Sequence, residues 1–235
     1  MGFLLLLLGI LPSFAWLIFF LQEDPKPEPK RLIARAFLLG VLITPIVFGI
    51  QFFFSKVIGW LNLSSPNWRN QIVVLVVLAL TEEALKFAAV YYGIRKSRFF
   101  DEPIDAMIYM VVAALGFAAA ENVMVLFGLT NEGIAMAWGE IFRTTTLRFL
   151  GATLLHALSS GLVGYYWALG ILKNNIKKFI GLGIILATLL HAVFNYLILT
   201  LDQKVIYATL FLIVIGVLVL NDFEGLKMYN KNNPT

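Results

Sequence analysis

The feature that most constrains this chain is a series of seven apolar runs, each close to the roughly 20 residues that cross a bilayer. Hydrophobic residues make up 60% of the 235 residues and charged residues 14%, against about 25% charged in soluble domains. A soluble fold of this size cannot bury so much apolar surface. The sequence therefore predicts an all-α, polytopic membrane helix bundle of about seven transmembrane helices. The predicted spans are about 2–22, 32–57, 71–94, 104–128, 143–171, 179–200 and 204–220.

The positions of Lys and Arg predict the topology. The connections after the first, third and fifth runs are basic, as is the C-terminal segment, whereas the alternate connections hold little positive charge. Because Lys and Arg concentrate in cytoplasmic loops, we expect the N-terminus outside and the C-terminus inside. Residues 1–220 should form a single integral membrane domain, and residues 221–235 a loose, polar cytoplasmic tail. The net charge of +4 is explained by these clusters, so we expect no nucleic-acid partner.

Two further features of the sequence limit its chemistry and packing. The chain has no Cys, which excludes disulfides, thiolate zinc sites and Cys nucleophiles. Small residues recur at four-residue spacing in the fifth run at Ser160, Gly164 and Ala168, and in the fourth run at Gly116 and Ala120. Because small side chains let membrane helices approach closely, these positions predict helix contacts.

The informative residues are the polar side chains inside the four apolar runs between about 71 and 200. Placing an ionisable side chain in mid-membrane costs about 2.5–3.5 kcal/mol on insertion scales, so each such residue needs a reason. With a rise of about 1.5 Å per residue, these groups are expected at one level, between the midplane and the outer half. They are Glu82, Glu83, Lys86, Glu121, Asn122, Arg148, His156, His191 and Asn195.

The spacing of these residues indicates acid–base chemistry. Glu82 and Lys86 share a helix face, and Glu83 can also reach Lys86, so two carboxyls compete for one ammonium. In such a pair the pKa values of the two carboxyl groups are pushed apart, and one of the two becomes a candidate general base. His191 and Asn195 lie one helical turn apart and could direct an imidazole and an amide toward a developing oxyanion.

Purely structural roles are the alternative for each of these residues. Glu82 and Lys86 could form an ion pair that locks helices together, and either imidazole could be an interhelical hydrogen-bonding group. For Asn122, a structural hydrogen bond is favoured over a catalytic role. Arg148 could neutralise an acid, or its side chain could extend to the membrane surface. The joint presence of acids, a base, imidazoles and an amide at one depth favours a functional site.

The motifs resemble those of PrsW-type intramembrane proteases, a family related to CAAX-processing and bacteriocin-immunity proteases. Residues 81–87 (TEEALKF) are similar to the E-E-x-x-K motif, and residues 117–122 (FAAAEN) to the F-x-x-x-E-N ending of the second motif. His156 lies in a segment similar to the third motif, and residues 191–195 (HAVFN) resemble the fourth, H-x-x-x-D/N. The resemblance covers about residues 75–200, with the motifs in order.

This resemblance implies an intramembrane endopeptidase of the prokaryotic plasma membrane. Its substrate would be a transmembrane protein or peptide, for example an anti-sigma factor. The family is often described as metalloproteases, so zinc is one cofactor to consider, with His156 and His191 as candidate ligands; a metal-free glutamate mechanism is the alternative. Carried over, the catalytic positions are Glu82, Glu83, Glu121, His156, His191 and Asn195, supported by Lys86, Asn122 and Arg148.

Two other classes of function remain open from the residues alone. Intramembrane acids and His also build the relays of proton- or ion-coupled transporters, although no inverted repeat or pair of broken helices is evident in the sequence. A non-catalytic membrane scaffold could keep the His residues. It would not need the adjacent Glu82 and Glu83, whose presence favours an enzyme.

Overall fold

The computed structural model describes residues 2–60, 68–131, 138–200 and 205–232, which form helices joined by short connections, with no strand among them. The predicted all-α class is confirmed, with helix over 89% of the chain. Within these ranges the chain forms seven helices. They are α1 (Gly2–Leu21), α2 (Lys30–Trp60), α3 (Trp68–Gly93), α4 (Asp105–Asn131), α5 (Trp138–Leu172), α6 (Ile176–Thr200) and α7 (Val205–Asn232).

Six of these helices are long and apolar enough to cross a membrane. The seventh, α3, has 26 residues and therefore sufficient length, but it carries Glu82, Glu83 and Lys86 in its centre. The outer surface of the bundle presents large apolar side chains, such as Phe52 and Phe53, each 65% exposed. An apolar surface of this kind, on helices long enough to span a bilayer, is typical of contact with lipid. The chain is thus an integral membrane protein, and the predicted orientation of its termini stays a prediction.

Helix α4 is the centre of the bundle and packs against α1, α2 and α5. Its backbone nearly touches α2, since a Cβ atom on Gly40 would lie 1.8 Å from the carbonyl oxygen of Ala113. A Cβ on Gly116 would likewise lie 2.0 Å from the carbonyl oxygen of Phe37. Only glycine permits this approach, and a similar contact at Gly164 joins α5 to α4. The close packing predicted at Gly116 and Gly164 is confirmed.

Helix α5 begins earlier than predicted and contains an irregular turn. It is a continuous helix of 35 residues, in which Phe149–Thr153 form a π-helical turn. Such a turn shifts the backbone hydrogen-bond pattern and is frequent at functional sites. The indole Nε1 of Trp16 on α1 donates a hydrogen bond to the carbonyl oxygen of Phe149 at 2.9 Å, so α1 contacts this turn.

The prediction of a loose tail is wrong for residues 221–232, because α7 continues through them. Phe223 and Leu226 are buried in the bundle and hold this segment in place. Lys227 also forms an ion pair at 2.5 Å with Glu23, which follows α1. Because these two apolar side chains are buried one helical turn apart, α7 continues past residue 220, where its most apolar stretch ends.

Candidate active site

Four helices bring the polar residues singled out from the sequence into one buried cluster. Helix α3 supplies Glu82, Glu83 and Lys86, α4 supplies Glu121 and Asn122, α5 supplies Arg148 and His156, and α6 supplies His191. The centroids of the two imidazole rings are 5.1 Å apart. Because these helices are sequential and packed together, residues separated by more than 100 positions in the chain come within hydrogen-bonding distance.

The carboxylate of Glu83 is fully buried and surrounded by hydrogen-bonding partners. The Lys86 Nζ atom lies 2.6 Å from Glu83 Oε1, and His191 Nδ1 lies 2.9 Å from the same oxygen. The hydroxyl groups of Ser159 and Ser160 donate to Oε1 and Oε2 at 3.0 and 3.1 Å. With four partners, this carboxylate is held as an anion and has little capacity left for a water molecule.

Glu82 has different surroundings although it is adjacent in sequence. Its Oε1 accepts a hydrogen bond of 2.8 Å from the side-chain amide of Gln51 on α2. Its Oε2 is buried and has no hydrogen-bond partner among the described residues. This oxygen lies 3.9 Å from Nδ1 of His156 and 3.7 Å from Nε2 of His191. A buried oxygen without a partner is costly, so this position is suited to a ligand.

His156 is held on both of its ring nitrogens. Nδ1 lies 3.2 Å from the ammonium of Lys86, which donates to it, so Nε2 carries the proton in the neutral ring. Nε2 then donates to Glu121 Oε2 at 2.9 Å. The same carboxylate oxygen lies 2.7 Å from Nη2 of Arg148. This chain of charged groups fixes both the tautomer and the orientation of the imidazole.

Asn122 connects the site to the π-helical turn of α5. Its Nδ2 donates to Oγ1 of the buried Thr153 at 3.0 Å, and its Oδ1 accepts a hydrogen bond from Nε of Arg148. These contacts agree with the interhelical hydrogen bond expected of Asn122 and with the neutralising position expected of Arg148. Because Asn122 directly follows Glu121 on α4, these hydrogen bonds connect the segment that carries Glu121 to the π-helical turn.

Asn195 is the predicted site residue that the structure leaves outside this network. It follows His191 by one helical turn on α6 and is half-buried. No hydrogen bond links its side chain to another described residue. The structure therefore leaves its predicted role in the site as a prediction.

Sequence reasoning missed several residues of the cluster. Gln51 lies on α2, from which no acid or imidazole was expected, yet its amide contacts Glu82. An amide within an otherwise apolar run is the signal that could have identified it. Ser160 was predicted only as a small residue at a helix contact, and neither Ser159 nor Ser160 was assigned to the site. Their bonds to Glu83 depend on the packing of α5 against α3, which residue spacing does not reveal.

The residues present fit a metal ion. Glu82, His156 and His191 each offer one ligand atom, and these atoms lie within 4.8 Å of one another. Two imidazole nitrogens and a carboxylate oxygen form a donor set of catalytic zinc sites, which keep one position open for water. The unpaired Oε2 of Glu82 supports this fit. His156 Nδ1 cannot at once accept from Lys86 and bind a metal, but Lys86 keeps Glu83 as a partner.

Two carboxylates that contact the imidazoles from the side away from Glu82 also support a metal site. Glu121 contacts the ring nitrogen of His156 that points away from Glu82, and Glu83 does the same for His191. Carboxylates in this position orient metal-binding imidazoles and increase their basicity.

Comparison with known proteins identifies the family. A model of the PrsW family of intramembrane metalloproteases matches residues 28–220. The chain belongs to the PrsW family. The match includes every predicted site residue, and it also includes Gln51. No solved structure matches the chain.

Curated PrsW proteases resemble the chain over nearly its whole length. Protease PrsW of Geobacillus kaustophilus is 29% identical over 231 residues, covering 97% of this chain and 94% of the relative. Protease PrsW of Oceanobacillus iheyensis is 31% identical over 228 residues, or 95% of each chain. Protease PrsW of Bacillus subtilis is 28% identical over 211 residues, or 87% of each chain. The chain is thus an intramembrane protease of the prokaryotic plasma membrane, and the predicted family and enzyme class are confirmed.

Proposed function

We propose that this protein is an endopeptidase that hydrolyses a peptide bond of a membrane-protein substrate at the centre formed by Glu82, His156 and His191. The observation that carries the proposal is the buried, unpaired Oε2 of Glu82 within 4 Å of a nitrogen of each imidazole. A water molecule at this point would contact a carboxylate and two imidazoles. Each of these groups is of a type that acts in general acid–base catalysis.

Glu82, rather than Glu83, is the carboxylate that acts on the water. Glu83 is fully occupied by its four partners, whereas one oxygen of Glu82 is free. Without a metal, Glu82 accepts a proton from the water while the water oxygen bonds to the carbonyl carbon and the π electron pair of the C=O bond moves onto its oxygen. The C=O bond then re-forms as the carbon–nitrogen bond breaks, and the proton held by Glu82 passes to the departing amine nitrogen.

A zinc ion would be held by Glu82, His156 and His191, where it would lower the pKa of water and polarise the substrate carbonyl. In either case the surrounding residues have the same tasks. Glu83 orients the ring of His191, and Glu121 orients that of His156. Without a metal, His191 and Asn195 would stabilise the oxyanion, as proposed from their spacing. With zinc bound, His191 would be a ligand, and Asn195 alone would keep this role.

The surroundings of the site favour a substrate that arrives from the lipid. An apolar cleft of about 150 Å³ lies between α3 and α6, and Ala192 and Val193 beside His191 form part of its wall. Leu75 and Val76, two turns before Glu82, form part of the opposite wall. A transmembrane segment could contact such walls without passing through water. We therefore favour a single-span membrane protein, of the anti-sigma-factor type, as substrate.

The test is cleavage of a single-span reporter protein in proteoliposomes. The wild-type protein should cut the reporter, and Glu82→Gln should lower the rate by about 10²–10⁴-fold, the range for loss of a general acid–base group. Glu140→Gln is the matched control, because Glu140 lies at the exposed start of α5, where it pairs with Arg143 one turn along the helix. Full cleavage by Glu82→Gln would contradict the proposal, and proton uptake without cleavage would favour a transporter.

A further inference from the structure

A second cleft lies between α1 and α2, away from the residues of the active site. Both helices pack against α4 and have little contact with each other, which leaves a space of about 530 Å³ between them. Its walls are apolar and consist mainly of Phe14, Leu17, Leu21, Ile33, Phe37 and Leu38. From Lys30 to Leu38 the cleft follows α2 for about 12 Å, close to the roughly 15 Å of one leaflet's hydrocarbon. Its length and walls match a lipid chain.

The cleft ends in charged groups at the connection between α1 and α2. Asp24 and Glu28 line this end, and Lys30 is exposed beside them. Asp24 is only 6% exposed, and its Oδ1 accepts a hydrogen bond from the backbone nitrogen of Lys26 at 2.9 Å. Its Oδ2 is buried without a partner in the described ranges. An unpaired carboxylate oxygen at the end of an apolar cleft calls for a donor from outside the chain.

The charge around this end of the cleft is predominantly negative. The connection before α4 adds Asp101 and Glu102, the first residue of α4 adds Asp105, and Lys26 forms an ion pair with Glu102. Burial raises the pKa of Asp24 and of Glu28, although hydrogen bonds partly offset this effect. A cation bound here would relieve the cost of keeping these carboxylates ionised.

We propose that the cleft binds a phospholipid whose headgroup carries a primary ammonium, of the phosphatidylethanolamine type. One acyl chain lies along the apolar walls, and the ammonium donates to Oδ2 of Asp24 and to Glu28, whose Oε2 also accepts a hydrogen bond from the hydroxyl group of Tyr109. Lys30 lies at the rim, where it can contact the phosphate. A choline headgroup has no N–H to donate, and the acids repel a purely anionic glycerol headgroup. The site therefore distinguishes lipids by headgroup.

The test is native mass spectrometry of the detergent-solubilised protein, equilibrated in EDTA with equal amounts of phosphatidylethanolamine, phosphatidylcholine and phosphatidylglycerol. The wild-type protein should retain phosphatidylethanolamine about tenfold over each of the others, as expected for a charge-assisted hydrogen bond. Asp24→Asn and Glu28→Gln should bring the ratio close to one. Glu140→Gln, which removes an acid that does not line the cleft, should leave the ratio unchanged.

A second variant separates lipid binding from the folding of the charged connection. Ala34 lines the cleft and is exposed, so Ala34→Trp should fill the space without disturbing the core and should lower retention of all three lipids. Equal retention of the three headgroups by the wild-type protein would overturn the proposal. So would unchanged selectivity in Asp24→Asn or unchanged retention in Ala34→Trp. A preference that appears only with added magnesium would overturn it in favour of a cation site.

Discussion

Two adjacent glutamates have opposite surroundings in this protein, and their variants should therefore differ. Glu82→Gln removes a carboxylate with an unpaired oxygen, so we expect lost cleavage with the melting temperature unchanged or raised. Glu83→Gln removes the counterion of the buried Lys86, and we expect a loss of about 3–5 kcal/mol in stability as well as activity. Thermal unfolding in detergent, measured beside reporter cleavage, checks both outcomes.

The control for this pair is Glu140→Gln, an exposed acid whose ion pair with Arg143 should contribute less than about 1 kcal/mol. If Glu82→Gln unfolded at a much lower temperature than Glu83→Gln, the assignment of the two roles would be reversed.

Gln51 is expected to position Glu82. Gln51→Leu keeps a similar volume but removes the donor to Glu82 Oε1, which leaves the carboxylate free to rotate. We expect kcat to fall by about 10–100-fold with KM little changed, by analogy with other groups that orient a ligand or base. Ser55→Ala, one turn further along α2, removes a hydroxyl bonded to its own helix and serves as the control. Steady-state kinetics with the reporter would contradict this role if Gln51→Leu and Ser55→Ala behaved alike.

At this scale the sequence predicts ionisable residues better than uncharged ones. Charged side chains in apolar runs are conspicuous because the bilayer penalises them, so Glu82, Glu121 and His191 could be identified without coordinates. The identity of the free carboxylate could not, because it depends on the hydroxyl groups of Ser159 and Ser160 on another helix.

At the scale of elements, the contact between α2 and α4 depends on two glycines. Gly116→Ala would place a methyl group 2.0 Å from a backbone carbonyl oxygen, and the helices must separate to accept it. We expect a loss of at least about 1–3 kcal/mol in stability. Gly128→Ala, on the same helix with open space around it, should be neutral or stabilise by up to about 1 kcal/mol. Equal melting temperatures for the two variants would show that close approach is not required.

The order and approximate bounds of the helices follow from the apolar runs, because the bilayer requires spans of similar length. Two details did not follow. The π-helical turn in α5 has no signature in composition, and α7 extends to Asn232 because Phe223 and Leu226 are buried by neighbouring helices. Both depend on tertiary contacts rather than on local preference.

At the scale of the whole molecule, the orientation in the membrane can be measured directly. The chain has no Cys, so single-Cys variants are specific probes. Asn175→Cys lies in the exposed basic connection between α5 and α6, and Gly139→Cys lies at the exposed start of α5. The positive-inside rule predicts that a membrane-impermeant maleimide labels Asn175→Cys only after lysis and Gly139→Cys in intact cells. The reverse pattern would invert the topology.

The last prediction concerns zinc, whose ligands would join three helices of the bundle. Glu82 lies on α3, His156 on α5 and His191 on α6, so an ion bound to all three should stabilise their packing and not only the site. We expect about one zinc per chain and a melting temperature that rises with zinc, since ligands that bind only the folded state stabilise it. His191→Ala should lose both effects, and Glu140→Gln should keep them. Chelation should abolish reporter cleavage, and zinc should restore it. A wild-type protein that binds no zinc, and cleaves fully in chelator, would instead exclude the zinc mechanism in favour of the metal-free one.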